Sequence, residues 1–192
     1  MQIVFVHGIW DTGQVFRRMA SFLKSCGHEC HTPDLIPANA KLGLPDLAHK
    51  LKAFINEDVG PESTFAMVGF SMGALISRYY LQELGGTEQV SHFFSISGPQ
   101  HGTLTAHFWL GKAARDMRFG SQFLAQLNRD TSSMDSISVR TYRTPLDLMI
   151  LPSSSSKLEG ATNRNCYAAL HHRMLVQQCI FHDIAENLPS PA

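Results

Sequence analysis

The chain lacks an excess of either charge. Sixteen Lys and Arg residues balance sixteen Asp and Glu, so the formal net charge is zero with His neutral. No basic block stands out, which argues against a nucleic acid partner. Long apolar runs are missing too, and none approaches the ~20 residues of a membrane span. The opening Met1-Gln2-Ile3-Val4-Phe5-Val6-His7-Gly8 has no basic segment, and its apolar run is too short for a secretion signal. A cytoplasmic location is the expectation. Cysteine is scarce, with Cys26, Cys30, Cys166 and Cys179 alone, and these read as free thiols. The segment Cys26-Gly27-His28-Glu29-Cys30-His31 gathers potential metal ligands. Its spacing fits no standard zinc motif and no second ligand pair follows, so no metal is expected. It reads instead as a helix end at Gly27 and a strand ending near Pro33-Asp34.

What is present is an ordinary globular composition, 44% hydrophobic with Pro and Gly in normal proportion. One domain over residues 1–188 is expected, with a disordered tail over 189–192. Short apolar runs alternate with amphipathic ones. Strands are predicted at Ile3 to Val6, Glu29 to Thr32, Thr64 to Gly69, Val90 to Ser97, Ser138 to Arg143 and Cys166 to Ala169. Helices are predicted at Val15 to Ser25, Leu44 to Val59, Met72 to Leu84, Ala106 to Leu127 and Met174 to Leu188. Such alternation implies an α/β fold, a mostly parallel sheet with helices on both faces.

The sequence is most informative at Gly69-Phe70-Ser71-Met72-Gly73. It matches G-x-S-x-G, with an apolar strand before it and a helix after it. A sharp turn there lifts a serine hydroxyl out at the end of the sheet. Glycines two residues to either side remove Cβ atoms that would collide in the turn. The helix N-terminus beneath favours developing negative charge. A second loop, His7-Gly8-Ile9-Trp10-Asp11-Thr12-Gly13, follows the first strand. Attack on a carbonyl builds an oxyanion that needs two preorganised N–H donors. Those of Ile9 and Met72 are the candidates, with Gly8 letting the chain turn inward and Gly13 letting it leave.

A serine nucleophile of this kind needs an acid and then a base further along the chain. Asp147 is the best-placed acid, because it follows the strand Ser138 to Arg143. Asp130 and Asp135 precede that strand and should lie at the wrong end of the sheet. The base is one of two adjacent residues, His171 or His172, just beyond the last strand. His171 is preferred, because Met174, Leu175, Ile180 and Ile184 then fall where a helix packs beneath the loop. His182 sits too deep in the final helix, and His101 and His107 come before the acid.

With these residues in hand, the chain resembles the small bacterial lipases and related lipase-like α/β hydrolases. The likeness runs over nearly the whole length. It includes Val6-His7-Gly8, Gly27-His28 before Pro33-Asp34-Leu35, the serine turn, and Gln100-His101-Gly102-Thr103. It continues through the Asp147 segment to Pro152 and His171 before Met174-Leu175. The family often has His-His-Gly-Thr where this chain has Gln100-His101-Gly102-Thr103, a segment expected to shape the rim of the site. The resemblance implies a three-layer α/β-hydrolase fold of minimal, lidless type with about six strands. It implies a triad of Ser71, Asp147 and His171, with Ile9 and Met72 as oxyanion donors.

The expected activity is hydrolysis of carboxylic esters, as by a lipase or esterase, through an acyl-enzyme and with no cofactor. Phe108, Trp109 and Met117 either border an acyl site or belong to an ordinary amphipathic core helix. The expected partner is a small ester or lipid, with transient contact at a lipid surface. An acyltransferase or thioesterase would use the same groups. A non-catalytic binding protein is the reading that intact catalytic loops argue against.

Overall fold

In the computed structural model, residues 1–39 and 41–189 are described. The tail expected to be disordered therefore falls, from 190 onward, outside the described residues. Six strands form one sheet: β1 (Gln2–Val6), β2 (Glu29–His31), β3 (Phe65–Phe70), β4 (Val90–Ile96), β5 (Ser138–Arg143) and β6 (Thr162–Asn165). The spatial order is β2-β1-β3-β4-β5-β6, and every neighbouring pair is parallel. The chain first winds outward from β1 to β2, then returns to place β3 on the other side of β1. The strand order thus changes direction between β1 and β3, a switch point at the C-terminal edge of the sheet. The register brings Val6 beside Gly69 and Gly69 beside Ser95, so these strands end level with one another.

Alternation along each strand sends side chains to two faces. Val4 and Val6 enter one core with Leu47 and Leu51 of α2 (Leu44–Phe54) and Leu75 of α3 (Met72–Glu83). Ile3 and Phe5 enter the other, with Met19 and Leu23 of α1 (Arg17–Ser25) and Ile180 and Ile184 of α6 (Gln178–Asn187). β3 is buried along its whole length, as an inner parallel strand must be. Among the described residues, no helix is long and apolar enough to cross a membrane.

Three elements differ from expectation. The single helix expected over Ala106 to Leu127 is a 3-10 turn (Leu104–His107), then α4 (Lys112–Asp116), then α5 (Gln122–Arg129). Gly111 and Gly120 take φ of 118° and 70° between them, a backbone that ends a helix and that glycine adopts without strain. Ser121 then caps α5 by accepting from Leu124 N–H. The last strand is Thr162–Asn165, not Cys166 to Ala169. It is polar and exposed, as a sheet edge tends to be, while Cys166 and Ala168 bury in the loop that follows. The final helix starts at Gln178, and residues 171–176 form a 3-10 turn. Met174 and Leu175 bury from that turn, which mimics the start of an apolar helix face.

Candidate active site

Ser71 stands between β3 and α3 with φ 53° and ψ −122°. A non-glycine residue at positive φ is strained by about 1–3 kcal/mol and persists only where its surroundings over-determine it. Those surroundings are visible. Ser71 N–H donates to Ile96 O at 2.9 Å and Ala74 N–H donates to Ser71 O at 3.0 Å. A Cβ on Gly73 would lie 2.0 Å from Val6 O, and one on Gly69 would lie 2.6 Å from Ala74 Cα. Gly73 lets α3 rest directly on the end of β1, and Gly69 lets α3 turn back tightly over β3. Met72 opens α3, so its N–H has no carbonyl partner within the helix.

The loop after β1 is held from below by His7. Leu35 N–H donates to His7 Nε2 at 2.9 Å. The ring proton is therefore on Nδ1, 2.9 Å from Gly8 O. A Cβ on Gly8 would sit 3.2 Å from Ser71 Cβ. Gly8 is thus required by the close approach of this loop to the serine. Gly13 is needed for a different contact, since a Cβ there would lie 2.1 Å from Thr32 O. The Ile9 side chain is buried beneath the loop.

Asp147 is buried in the loop after β5, and Oδ1 accepts from Met149 N–H at 2.9 Å and Ile150 N–H at 3.0 Å. His171 Nδ1 lies 2.8 Å from Asp147 Oδ2 and 3.1 Å from Oδ1. Burial pushes the Asp147 carboxyl upward. The bond to His171, the charge of His171, and the Ile150 and Met149 amides together outweigh burial and hold it below the ordinary carboxylate value. Asp147 so fixes the His171 proton on Nδ1 and turns Nε2 toward other use. Nε2 is buried and has no hydrogen-bond partner among the described residues. The His171 ring packs on Phe70, the residue before Ser71, with centroids 4.7 Å apart.

His172 is placed otherwise. It is largely exposed, and its Nε2 lies 3.3 Å from Asp11 Oδ1, in the loop after β1. Each of the two adjacent histidines therefore has its own carboxylate.

Several supports were not evident from the sequence. Thr144 Oγ1 donates to Ala168 O at 2.7 Å and accepts from Ala168 N–H at 3.3 Å. It ties the loop carrying Asp147 to the loop leading to His171. Thr103 Oγ1 donates to Met149 O and accepts from Leu151 N–H, both at 2.9 Å. The Gln100-to-Thr103 segment, expected to shape the rim, thus also braces the Asp147 loop. Arg78 is buried in α3 and bonds Gln82, Gln100, Asn128 and Leu127 O. Desolvation lowers its guanidinium to about 10. Motif reading gave none of these residues a bracing role, because their bracing contacts are mainly with groups distant in sequence.

Around the serine the loops are apolar. Trp10, Leu104, Phe108, Leu148 and Leu170 are more than half exposed, each on a loop beyond the C-terminal end of a strand. Trp10 meets Trp109 edge to face, with centroids 4.9 Å apart. Met117 is core, so of the three candidates for an acyl border only Phe108 and Trp109 reach the surface. A groove of about 520 Å³ is lined by Leu148, Met149, Leu170, Val176, both histidines, Arg18 and Arg173.

No curated protein matches the sequence. The family model described as alpha/beta hydrolase fold matches residues 2–168. Among solved structures, the chain is similar to the mature lipase BlEst2 of Bacillus licheniformis. Identity is 18%, coverage is 96% of this chain and 91% of that one, and the TM-score is 0.78. It is similar to lipase B of Aspergillus fumigatus at 17% identity and TM-score 0.75, covering 91% of this chain and 49% of that one. It is also similar to a pyrethroid hydrolase of Sphingobium faniae JZ-2 at 11% identity and TM-score 0.69, covering 97% and 96%. The chain spans about half the length of the fungal lipase and of the propeptide form of BlEst2. Likeness at such identities is a likeness of fold.

Proposed function

The chain belongs to the alpha/beta hydrolase fold family, and we propose that within it the protein is a serine hydrolase of carboxylic esters, of lipase or esterase type. One observation carries the reading. A strained serine stands at the switch point of the sheet, and the ring of Phe70 just before it packs on His171, which is paired with buried Asp147 and has its Nε2 unengaged among the described residues.

In this reading His171 Nε2 takes the Ser71 proton as the hydroxyl oxygen attacks the ester carbonyl. Asp147 stays ionised and stabilises the imidazolium. The Ile9 and Met72 amides hold the tetrahedral oxyanion, aided by the N-terminus of α3. The imidazolium returns its proton to the leaving alcohol, and an acyl-enzyme remains. Water then gives a proton to His171, attacks the acyl carbon, and releases the acid and free Ser71. No step calls on a metal or organic cofactor. The apolar loops and the groove beside His171 support an ester with a sizeable apolar part.

Ser71→Ala is the test. Hydrolysis of a short p-nitrophenyl ester should fall by at least about 10³-fold, and fluorophosphonate labelling should disappear. A folded mutant with full turnover overturns the reading. Product analysis with alcohol acceptors and acyl thioesters separates hydrolysis from acyl transfer and thioester cleavage.

A further inference from the structure

Asp11 and His172 take no part in the steps above, yet they meet beside Ser71. Asp11 belongs to the loop after β1 and His172 to the turn before α6. Their contact is 3.3 Å long and joins residues 161 apart in sequence. Asp11 Oδ2, the other carboxylate oxygen, is buried with no hydrogen-bond partner among the described residues. It lies against Gly8. A Cβ on Gly8 would be 2.9 Å from Asp11 Oδ2 and 3.2 Å from Ser71 Cβ. A carboxylate therefore borders the serine across a single glycine, in the loop that carries Ile9.

That is an awkward place for a negative charge. A buried carboxylate oxygen without a donor costs free energy. Where an oxyanion develops nearby, an uncompensated like charge also opposes the transition state. His172 reaches the other oxygen, Oδ1, and so offsets the charge of the carboxylate while Oδ2 keeps no donor among the described residues. Its ring packs on Phe70 at 5.4 Å between centroids, and His171 packs on the same ring. The other charged groups facing His172 are His171, with ring centroids 5.7 Å apart, and Arg18 and Arg173, which line the same groove.

We propose that His172 and Asp11 form a charge-compensating clasp. His172 Nε2, 3.3 Å from Asp11 Oδ1, offsets that carboxylate and fastens the loop after β1 onto the turn that carries His171. Ile9 N–H then meets the oxyanion without a free negative charge beside it. His172 is a positioning residue, and the base is His171. This rests on Ser71 being the nucleophile.

The experiment is a charge-rescue cycle on the full chain with His172→Gln, Asp11→Asn and the double variant, assayed on p-nitrophenyl butyrate. His172→Gln leaves the carboxylate uncompensated, and kcat should fall about ten- to a hundredfold with little change in KM. Asp11→Asn loses the tether alone, about two- to threefold. The double variant should regain most of the His172→Gln loss. Equal losses in both single variants, with no regain in the double, reduce the contact to a simple tether and overturn the proposal. Abolished turnover in His172→Gln that Asp11→Asn does not restore also overturns it, by making His172 the base. Thermal unfolding gives a readout independent of turnover. Tm should be lower in His172→Gln than in the double variant, and the reverse order overturns the clasp even if no ester proves to be a substrate. Absence of fluorophosphonate labelling in the unaltered protein, by contrast, strikes only the hydrolase reading.

Discussion

Two Asp–His pairs meet the ring of Phe70, the residue before Ser71, and they are built differently. In the Asp147–His171 pair both side chains are buried, the contact is 2.8 Å, and two backbone amides complete the carboxylate. In the Asp11–His172 pair the imidazole is exposed, the contact is 3.3 Å, and one carboxylate oxygen has no donor. The first arrangement fixes a tautomer and leaves Nε2 free to take a proton. The second presents its Nε2 to the carboxylate, so the ring is already engaged. The sequence offers two adjacent imidazoles, and they differ in which ring nitrogen meets an acid and how much water reaches it.

Removing His171 should break that contrast most severely. His171→Ala is expected to lower kcat by about 10⁴-fold or more, whereas His172→Ala should retain turnover within about a hundredfold. Comparable losses in the two would erase the distinction. Asp147→Asn should lower kcat by about 10³–10⁴-fold by letting the His171 proton settle on the wrong nitrogen. A pH–rate profile that keeps its shape and height in this variant would show that Asp147 does not orient the base.

The same carboxylate makes a prediction about stability. Its folded value is depressed, so its contribution is fully present above the ordinary carboxylate range and is lost as pH falls through the folded value. Asp147→Asn should therefore flatten the acid limb of Tm against pH below about pH 4. An unchanged acid limb would mean that Asp147 is not coupled to folding in this way. A smaller effect is expected at Thr144, which ties the two loops of the buried pair. Thr144→Val should destabilise by about 1–2 kcal/mol and lower kcat more than it raises KM. A Thr144→Val protein with lowered Tm and unchanged kcat would show the tie to be structural alone.

Much of this organisation was legible in the chain. The serine turn was legible because its sterics are local, as glycines at 69 and 73 stand two residues from the serine they serve. The α/β alternation was legible because a buried parallel strand such as β3 must be apolar throughout. The stretch over 106–127 was misread because apolar spacing records burial and does not register the chain reversals at Gly111 and Gly120. Cys166 and Ala168 misled in the same way, since a buried loop can look like a strand. Thr144 and Arg78 gave no signal because their partners lie 24 and up to 50 residues away.

The sequence by itself determined five strands of the sheet, the strand–Ser71–helix turn, and the order in which a serine, an acid and a histidine appear. These rest on interactions between near neighbours or on the burial of whole segments, and both leave a pattern in the chain. Only the tertiary structure decided which histidine meets Asp147, and that the other meets Asp11. That choice depends on how two loops from opposite ends of the chain close over Phe70, and neighbouring residues in a sequence carry no record of such a meeting.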